Sequence, residues 1–572
     1  MTLKGGSPIR TARSIVLALF VVASAVGCGG GGGGGGGSGS SGIGSGGSND
    51  GSTSASASVS SSAALTATVI VDAAATISET GGDDLKAARG MFQSGSYPES
   101  NGGLESSATL LAGIDARSIR VINAEGGSSL DGSGNLVPAD RLSWDLPWIK
   151  RYGLMPHVVV GQWQPAFLTV PAAQWDAATW AAYQDYATKF VRYVAVEYDQ
   201  TGFAESMFEV GNEIDITTST RDIWTVPDPN LPQADEGRYQ HYMRVFAVWS
   251  KAVARVSAEN PDRLIRIAGP ALGGQTLFLT GGFWPERFIQ DVAAAGLRLD
   301  VVTHHFYADV LNGWVGVPGS GLRTQLQRIR SALNASGRSG TPIFETEYGT
   351  SEGSDAVSGH INYSHVGAAW GAMFVREALA GTASGGSILN VRDNFGTSLT
   401  GIPTVAGFDH IDNGVDYPKA IYNVFRMFTM LPGSRKAVTV SAQQPDVRAL
   451  ASADAGSAAA LVFNYNFEFN WPTTWTDRTV DQNVAPGFAN LPFNGAVAVD
   501  RYLIDANTSN VAFFIDSGRA LDYNASLLTR VEQCAATVNQ GTLNLPARVL
   551  TPSAVSLWIV KSGGAAGLAA CQ

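Results

Sequence analysis

Met207-Phe-Glu-Val-Gly-Asn-Glu213 is a short apolar run that closes on an Asn-Glu pair. Such a run reads as a β-strand, and the pair then stands at its C-terminal end. A second run of the same kind, Ile343-Phe-Glu-Thr-Glu-Tyr-Gly-Thr350, carries Glu345 and Glu347. In a parallel sheet wrapped by helices, the C-terminal ends of all the strands meet at one face. The two runs can therefore share a pocket if the chain around them alternates strand and helix.

Upstream lie a helix about Leu104 to Leu111, the strand Ser118-Ile-Arg-Val-Ile-Asn123, a helix about Arg141 to Arg151, the strand Met155-Pro-His-Val-Val-Val-Gly161 and a long helix about Ala177 to Tyr198. Downstream, a helix about Gly237 to Glu259 leads to the strand Leu264-Ile-Arg-Ile-Ala-Gly269, then a helix about Trp284 to Ala295 and the strand Asp300-Val-Val-Thr-His-His-Phe-Tyr307. A helix near Leu322 to Ala335, the strand Pro342 to Glu347, a helix near His365 to Ala380 and the strand Ser387-Ile-Leu-Asn-Val391 follow. Alternation of this kind, with polar residues gathered where strands end, predicts an α/β fold, a (β/α)8 TIM barrel over residues 63–436. Its eighth strand is either Thr66-Ala-Thr-Val-Ile-Val-Asp72 or a strand without a sequence signal. From about Ala437 the texture changes to short alternating strands, as in Ala437 to Ser441, Ala458 to Phe463, Ala496 to Asp500 and Val555 to Val560. Turn residues separate them, which predicts a C-terminal antiparallel β-sandwich over residues 437–572. Residues 66–72 have an alternative place in that sandwich, which would make it discontinuous.

At the N-terminus, Lys4, Arg10 and Arg13 precede an apolar run from Ile15 to Ala23 that is too short to span a bilayer and reads as a secretory signal. It closes on Ala25-Val-Gly-Cys28, which resembles the lipobox of bacterial lipoproteins. Residues 1–28 are thus expected to be a lipoprotein signal peptide with Cys28 lipidated. Residues 29–62, almost wholly Gly, Ser and other small residues, read as a disordered tether. The expected location is outside the cytoplasm, tethered by a lipid anchor to a membrane at the periplasmic face or cell surface.

A net charge of −11 and a pI near 5.2, with no basic cluster beyond the signal, argue against a nucleic-acid partner. Three cysteines occur, and with Cys28 assigned to lipid, Cys534 and Cys571 remain for one disulfide in an oxidising compartment. The seven histidines show no ligand spacing, so no metal is expected, and the reading as a whole calls for no organic cofactor.

At the strand ends the sequence resembles glycoside hydrolase family 39, a family of the clan of retaining (β/α)8 glycosidases. Gly153-Leu-Met-Pro-His-Val-Val-Val160 followed by Gln164-Pro165 looks like that family's third strand, and Phe208-Glu-Val-Gly-Asn-Glu213 is similar to its fourth. Asp300 to Tyr307 is similar to the sixth, with His305 and Tyr307 matching its closing His-x-Tyr. Thr346-Glu-Tyr-Gly-Thr350 looks like the seventh, and Pro418-Lys-Ala-Ile-Tyr422 resembles the opening of the final helix. Two departures stand out: Gly211 where the family usually has Trp, and Ile214-Asp215 where Pro-Asn is common.

The resemblance implies glycosidic-bond cleavage on an oligo- or polysaccharide, with Glu213 as acid/base and Glu347 as nucleophile. Retaining chemistry needs such a pair of carboxyl groups about 5 to 5.5 Å apart. Glu345 stands two residues from Glu347 and hence on the same face of a regular strand. The match to Thr-Glu-Tyr-Gly selects Glu347. By the same resemblance Asn212 would bond the sugar 2-hydroxyl and His305 would line the sugar site. Tyr307 and Arg120 would hold the nucleophile charged, although Arg120 also reads as a structural bridge inside the barrel. His304 faces the other way and reads as core. Glu209, a buried strand Glu, reads as the partner of an Arg or Lys outside the site. Trp163 and Trp224 are candidate platforms for sugar rings, against the ordinary reading of Trp as core.

The expected protein is a retaining β-glycosidase on a lipoprotein. Two alternatives share the scaffold: a non-catalytic glycan-binding lipoprotein, and a glycosidase or transglycosylase that processes exopolysaccharide within a surface assembly system.

Overall fold

Strands buried on both faces can be apolar throughout, and this is how the barrel is written into the chain. Every residue of Ser118–Val121 (β2), Met155–Val160 (β5), Val301–Phe306 (β8) and Ile343–Tyr348 (β9) is buried. The computed structural model describes residues 66–77, 108–122, 125, 127–215, 234–273, 284–307, 309–313, 319–349, 364–388, 409–412, 415–441, 445–470 and 474–572. Cys28, the tether at 29–62, Trp224 and most of the loop after Asp215 lie outside these residues.

With Glu205–Val210 (β6), Leu264–Leu272 (β7) and Gly385–Ile388 (β10), these strands form a seven-stranded sheet in the order β2-β5-β6-β7-β8-β9-β10, every neighbouring pair parallel. The helices Ala108–Gly113 (α1), Asp140–Arg151 (α2), Ala177–Arg192 (α3), Ala234–Glu259 (α4), Trp284–Ala294 (α5), Leu322–Ala335 (α6) and His365–Ala380 (α7) alternate with them. A short hairpin, Ser129–Leu130 (β3) with Leu136–Val137 (β4), precedes α2. This is a TIM barrel. Local chemistry starts and faces its helices: Asp176 caps α3 by accepting the Thr179 N–H, and Ser364 caps α7 through Val366. Leu322, Leu326, Ile329 and Leu333 recur at helical spacing on the buried side of α6. The long helix expected to reach Tyr198 keeps α-helical form only to Arg192, then widens into a π turn over Tyr193–Glu197.

No eighth parallel strand is found among the described residues. Thr66–Thr76 (β1) lies in the second sheet, antiparallel to Ser434–Val440 (β13) and parallel to Gln482–Ala489 (β18). That sheet also holds Val447–Ala453 (β14), Ser457–Asn464 (β15), Gly495–Ile504 (β19), Thr529–Val538 (β20), Leu543–Asn544 (β21), Arg548–Leu550 (β22) and Val555–Ser562 (β23), in the order β20-β19-β23-β15-β14-β13-β1-β18-β21, with β22 also on β18. Asp409–Asp412 (β11) with Val415–Pro418 (β12) and Phe467–Asn470 (β16) with Thr474–Asp477 (β17) are separate hairpins. The long pairings of the second sheet are antiparallel except β1 with β18. β1 reaches the sheet from before the barrel, so no hairpin sets its direction.

Within β15, Ala458, Ala460 and Val462 enter the core of this sheet domain. The alternate residues Ala459, Leu461 and Phe463 join the barrel's core. Burial on both faces fuses the two domains. Cys534 and Cys571 form a disulfide that ties the C-terminal segment to β20.

Candidate active site

Arg120 lies in the middle of β2 with none of its surface exposed. A guanidinium so placed must be met by acceptors on every arm. Its Nε donates to Glu209 Oε2 at 2.5 Å, Nη1 to Glu347 Oε1 at 2.5 Å and Nη2 to Asn212 Oδ1 at 2.8 Å. One side chain therefore ties β6, β9 and the turn after β6 together inside the barrel. Glu209 is further held by Thr346 Oγ1 at 2.6 Å and by His157 Nε2 at 3.2 Å.

Glu347 receives a second donor, Tyr307 Oη, at 2.7 Å on its other oxygen. His305 Nδ1 lies 3.0 Å from Glu213 Oε1 and 3.6 Å from Glu347 Oε2. One oxygen of each glutamate and a ring nitrogen of His305 all fall within 4.8 Å of one another. The two carboxylates that the sequence left 134 residues apart thus face one another across a single imidazole.

A bulge makes this possible. His304 pairs with Glu345 but His305 with Glu347, so β9 advances two residues for one on β8. Thr346 and Glu347 both turn into the barrel as a result, and Glu345 does not share the face of Glu347 as a regular strand would require. Glu345 bonds His304 at 3.0 Å instead, both fully buried.

The backbone at Glu213 is unusual as well. Gly211 has φ +83° and Glu213 φ +51°, in the left-handed region that costs a non-glycine residue about 1 kcal/mol or more. The turn holds its shape because the Glu213 N–H donates to Ala271 O at 2.8 Å and Gly273 N–H donates to Asp215 Oδ1 at 2.8 Å, both at the end of β7. Arg238 on α4 donates to the carbonyls of Ile214 and Asp215.

Electrostatics separate the two carboxyls. Burial raises the pKa of Glu213, and the charges of Glu347 and Asp215 raise it further against the opposing hydrogen bond from His305. Burial would raise Glu347 too, but the charges of His305 and Arg120 and the bonds from Tyr307 and Arg120 reverse this and hold it low. As pH rises, Glu347 therefore loses its proton before Glu213 does. His305 is pushed up despite burial, chiefly by the charge of Glu347 and the bond to Glu213. Glu209 is likewise held below the usual range, its burial outweighed first by Arg120 and then by His157.

Glu213, His305 and Glu347 are the only group of three His, Cys or acidic side chains among the described residues with atoms close enough to gather a cation. Arg120, 2.5 Å from Glu347, already supplies positive charge there.

Of the residues singled out from sequence, Arg120, Asn212, Glu213, His305, Tyr307 and Glu347 come together. Trp163 is half-buried just beyond β5 at the same barrel face. Glu209, set apart from the site by the sequence, shares Arg120 with Glu347. Glu125 was not singled out at all. Fully buried beyond β2, it accepts the Gly161 N–H at 2.5 Å and bonds the backbone N–H groups of Gln162 and Trp163 as well. Only its position just past a strand end could have flagged it.

No known family profile and no curated protein matches the sequence. Solved structures do. A family 39 glycoside hydrolase from Xanthomonas axonopodis pv. citri superposes with a TM-score of 0.64 at 16% identity, covering 87% of this chain and 97% of that one. The chain has the fold of these glycosidases. A monomeric β-xylosidase from Caulobacter crescentus CB15 matches with a TM-score of 0.63 at 16% identity, over 86% of this chain and 99% of that one. A bacterial orthologue of human α-L-iduronidase matches with a TM-score of 0.62 at 13% identity, over 87% and 84%.

Proposed function

We propose that the protein is a retaining glycoside hydrolase that cleaves β-linked glycans by double displacement, with Glu213 as acid/base and Glu347 as nucleophile. The observation that carries this reading is the pair itself: carboxylate oxygens within 4.8 Å at one barrel face, one carboxyl raised and the other lowered. That separation suits the retaining arrangement, in which no water stands between nucleophile and sugar. The family 39 and β-xylosidase neighbours support the choice of substrate class.

In the first step Glu213 gives its proton to the glycosidic oxygen as the bond to the anomeric carbon breaks. Glu347 Oε attacks that carbon and forms an ester. Asn212, its Oδ1 anchored by Arg120, keeps its amide N–H2 for a sugar hydroxyl. Esterification consumes the charge of Glu347, one of the causes that raise Glu213, so the proton affinity of Glu213 falls once its proton has gone. As a carboxylate it then takes a proton from a water whose oxygen attacks the anomeric carbon; the bond from that carbon to Glu347 Oε breaks, which frees the Glu347 carboxylate and restores the resting state. Arg120 and Tyr307 stabilise the charge on Glu347 before the first step and after the second.

The lipobox-like Ala25 to Cys28 and the Gly/Ser run behind it support export and lipid tethering at Cys28. Labelling with an alkynyl fatty acid, lost in Cys28→Ser, would support this; equal labelling of both proteins would not.

The activity is tested with a panel of 4-nitrophenyl β-glycosides, with Glu347→Gln as control. Hydrolysis by the parent with the β-anomer released first, and its loss in the variant, is expected. Glycan binding without hydrolysis of any substrate would favour a binding protein instead.

A further inference from the structure

The turn that presents Glu213 is stapled to the end of β7 at two points, and one staple is made by a side chain whose charge the hydrogen bond does not need. Asp215 is 5% exposed and receives the Gly273 N–H on Oδ1 at 2.8 Å. Two residues back, the Glu213 N–H donates to Ala271 O at 2.8 Å. Glu213 and Ala271 both sit at φ +51°, so each side of this junction holds a left-handed residue that the contacts must keep in place. A neutral amide would accept the Gly273 N–H equally well. The resemblance noted in the sequence has Asn at this position, and this chain has a carboxylate.

We propose that Asp215 is a positioning residue for Glu213: its carboxylate pins the acid/base turn to the end of β7 and carries a second negative charge in the same turn, two residues from the carboxyl that must hold a proton. The groups facing Glu213 are His305 on β8, Glu347 on β9 and Asp215 in its own turn, with Arg120 on β2 reaching Glu347 and Asn212. His305 favours ionisation of Glu213, and Glu347 and Asp215 oppose it. Arg238 Nη1 donates to the backbone carbonyl of Asp215 at 3.3 Å and helps to fix the turn. When Glu347 becomes an ester in the covalent intermediate, Asp215 is the negative charge that persists. It acts at both steps, keeping Glu213 protonated for the first and making it a stronger base for the second.

The inference rests on Glu213 being the proton donor, and two variants separate the two ideas. Asp215→Asn keeps the acceptor and removes the charge; Asp215→Ala removes both. The direct readout is the titration of the Glu213 carboxyl, taken by 13C NMR of Glu-labelled full-length protein as the difference from the same protein carrying Glu213→Gln. It needs no substrate. The midpoint is expected to fall in Asp215→Asn. An unmoved midpoint overturns the role of the charge.

The second readout compares 2,4-dinitrophenyl β-xyloside, whose leaving group needs no proton, with phenyl β-xyloside, whose leaving group does. Asp215→Ala is expected to lose at least tenfold more kcat/KM on the phenyl substrate than on the dinitrophenyl one. A general loss of structure would lower both alike, and equal losses overturn the clamp. If Glu213→Gln itself showed no such leaving-group dependence, the acid/base assignment would fall. If Glu213→Gln showed it and the Asp215 variants did not, only the present inference would fall.

Discussion

Glu125 offers a perturbation whose size follows from the structure. It is fully buried, and burial outweighs the hydrogen bonds it accepts, so its pKa rises from 4.5 to about 8. Between those values the folded protein holds a proton that the unfolded chain has released. A folded-state pKa above the unfolded one means that the contribution to stability is full below pH 4.5 and is lost as pH rises through about 8. At 1.36 kcal/mol per unit, the parent should lose roughly 3 to 4 kcal/mol from this group between pH 5 and pH 8. Glu125→Gln keeps an oxygen for the Gly161 N–H and does not titrate. Urea unfolding followed by Trp fluorescence at several pH values across this range measures the difference between the two proteins. The variant should gain on the parent by about 3 kcal/mol from pH 5 to pH 8. A difference that stays constant across the range would mean that Glu125 does not carry the proton and that its pKa is not raised by burial.

Three further outcomes follow from the structure. The profile of kcat/KM against pH should be a bell whose acid limb extends below the usual carboxylate range, because Glu347 is held low, and whose alkaline limb falls as Glu213 loses its proton. The two limbs belong to the pair rather than to either residue, and a rate that kept rising with pH would contradict the assignment. Tyr307→Phe removes a 2.7 Å bond to Glu347, so kcat should fall about tenfold to a hundredfold and the acid limb should move to higher pH. An unchanged acid limb would show that Tyr307 does not hold the nucleophile. Mass spectrometry of the full-length protein under non-reducing conditions should find the Cys534 and Cys571 peptides linked, and alkylatable thiols on both would refute this.

Much of the barrel was legible because its strands are buried on both faces and its helices on one, so each element carries its own period. The helices over Leu322–Ala335 and His365–Ala380 match their sequence limits. The strand ends bearing Glu213, His305, Tyr307 and Glu347 could be read for the same reason. What could not be read depends on contacts between distant residues. The bulge at Thr346 is set by pairing with β8, so Glu345 and Glu347 looked equivalent on a regular strand. Glu209 looked like an isolated partner, since nothing local shows that its Arg is the one that holds Glu347. β1 could not be placed because its partners, β13 and β18, lie beyond the whole barrel. The β14 and β15 pairing was only half visible: both faces are buried, so the alternation that marks a sandwich strand is lost.

Glu347 is the residue proposed to attack the anomeric carbon. Incubation with a panel of 2,4-dinitrophenyl 2-deoxy-2-fluoro-β-glycosides, followed by peptic digestion and mass spectrometry, tests this directly. A fluorosugar ester on the peptide containing Glu347, absent in Glu347→Gln and cleared as activity returns, is the expected result. A fluorosugar on Glu345 or Glu213, or turnover of β-glycosides with no covalent adduct on any residue, would contradict the account.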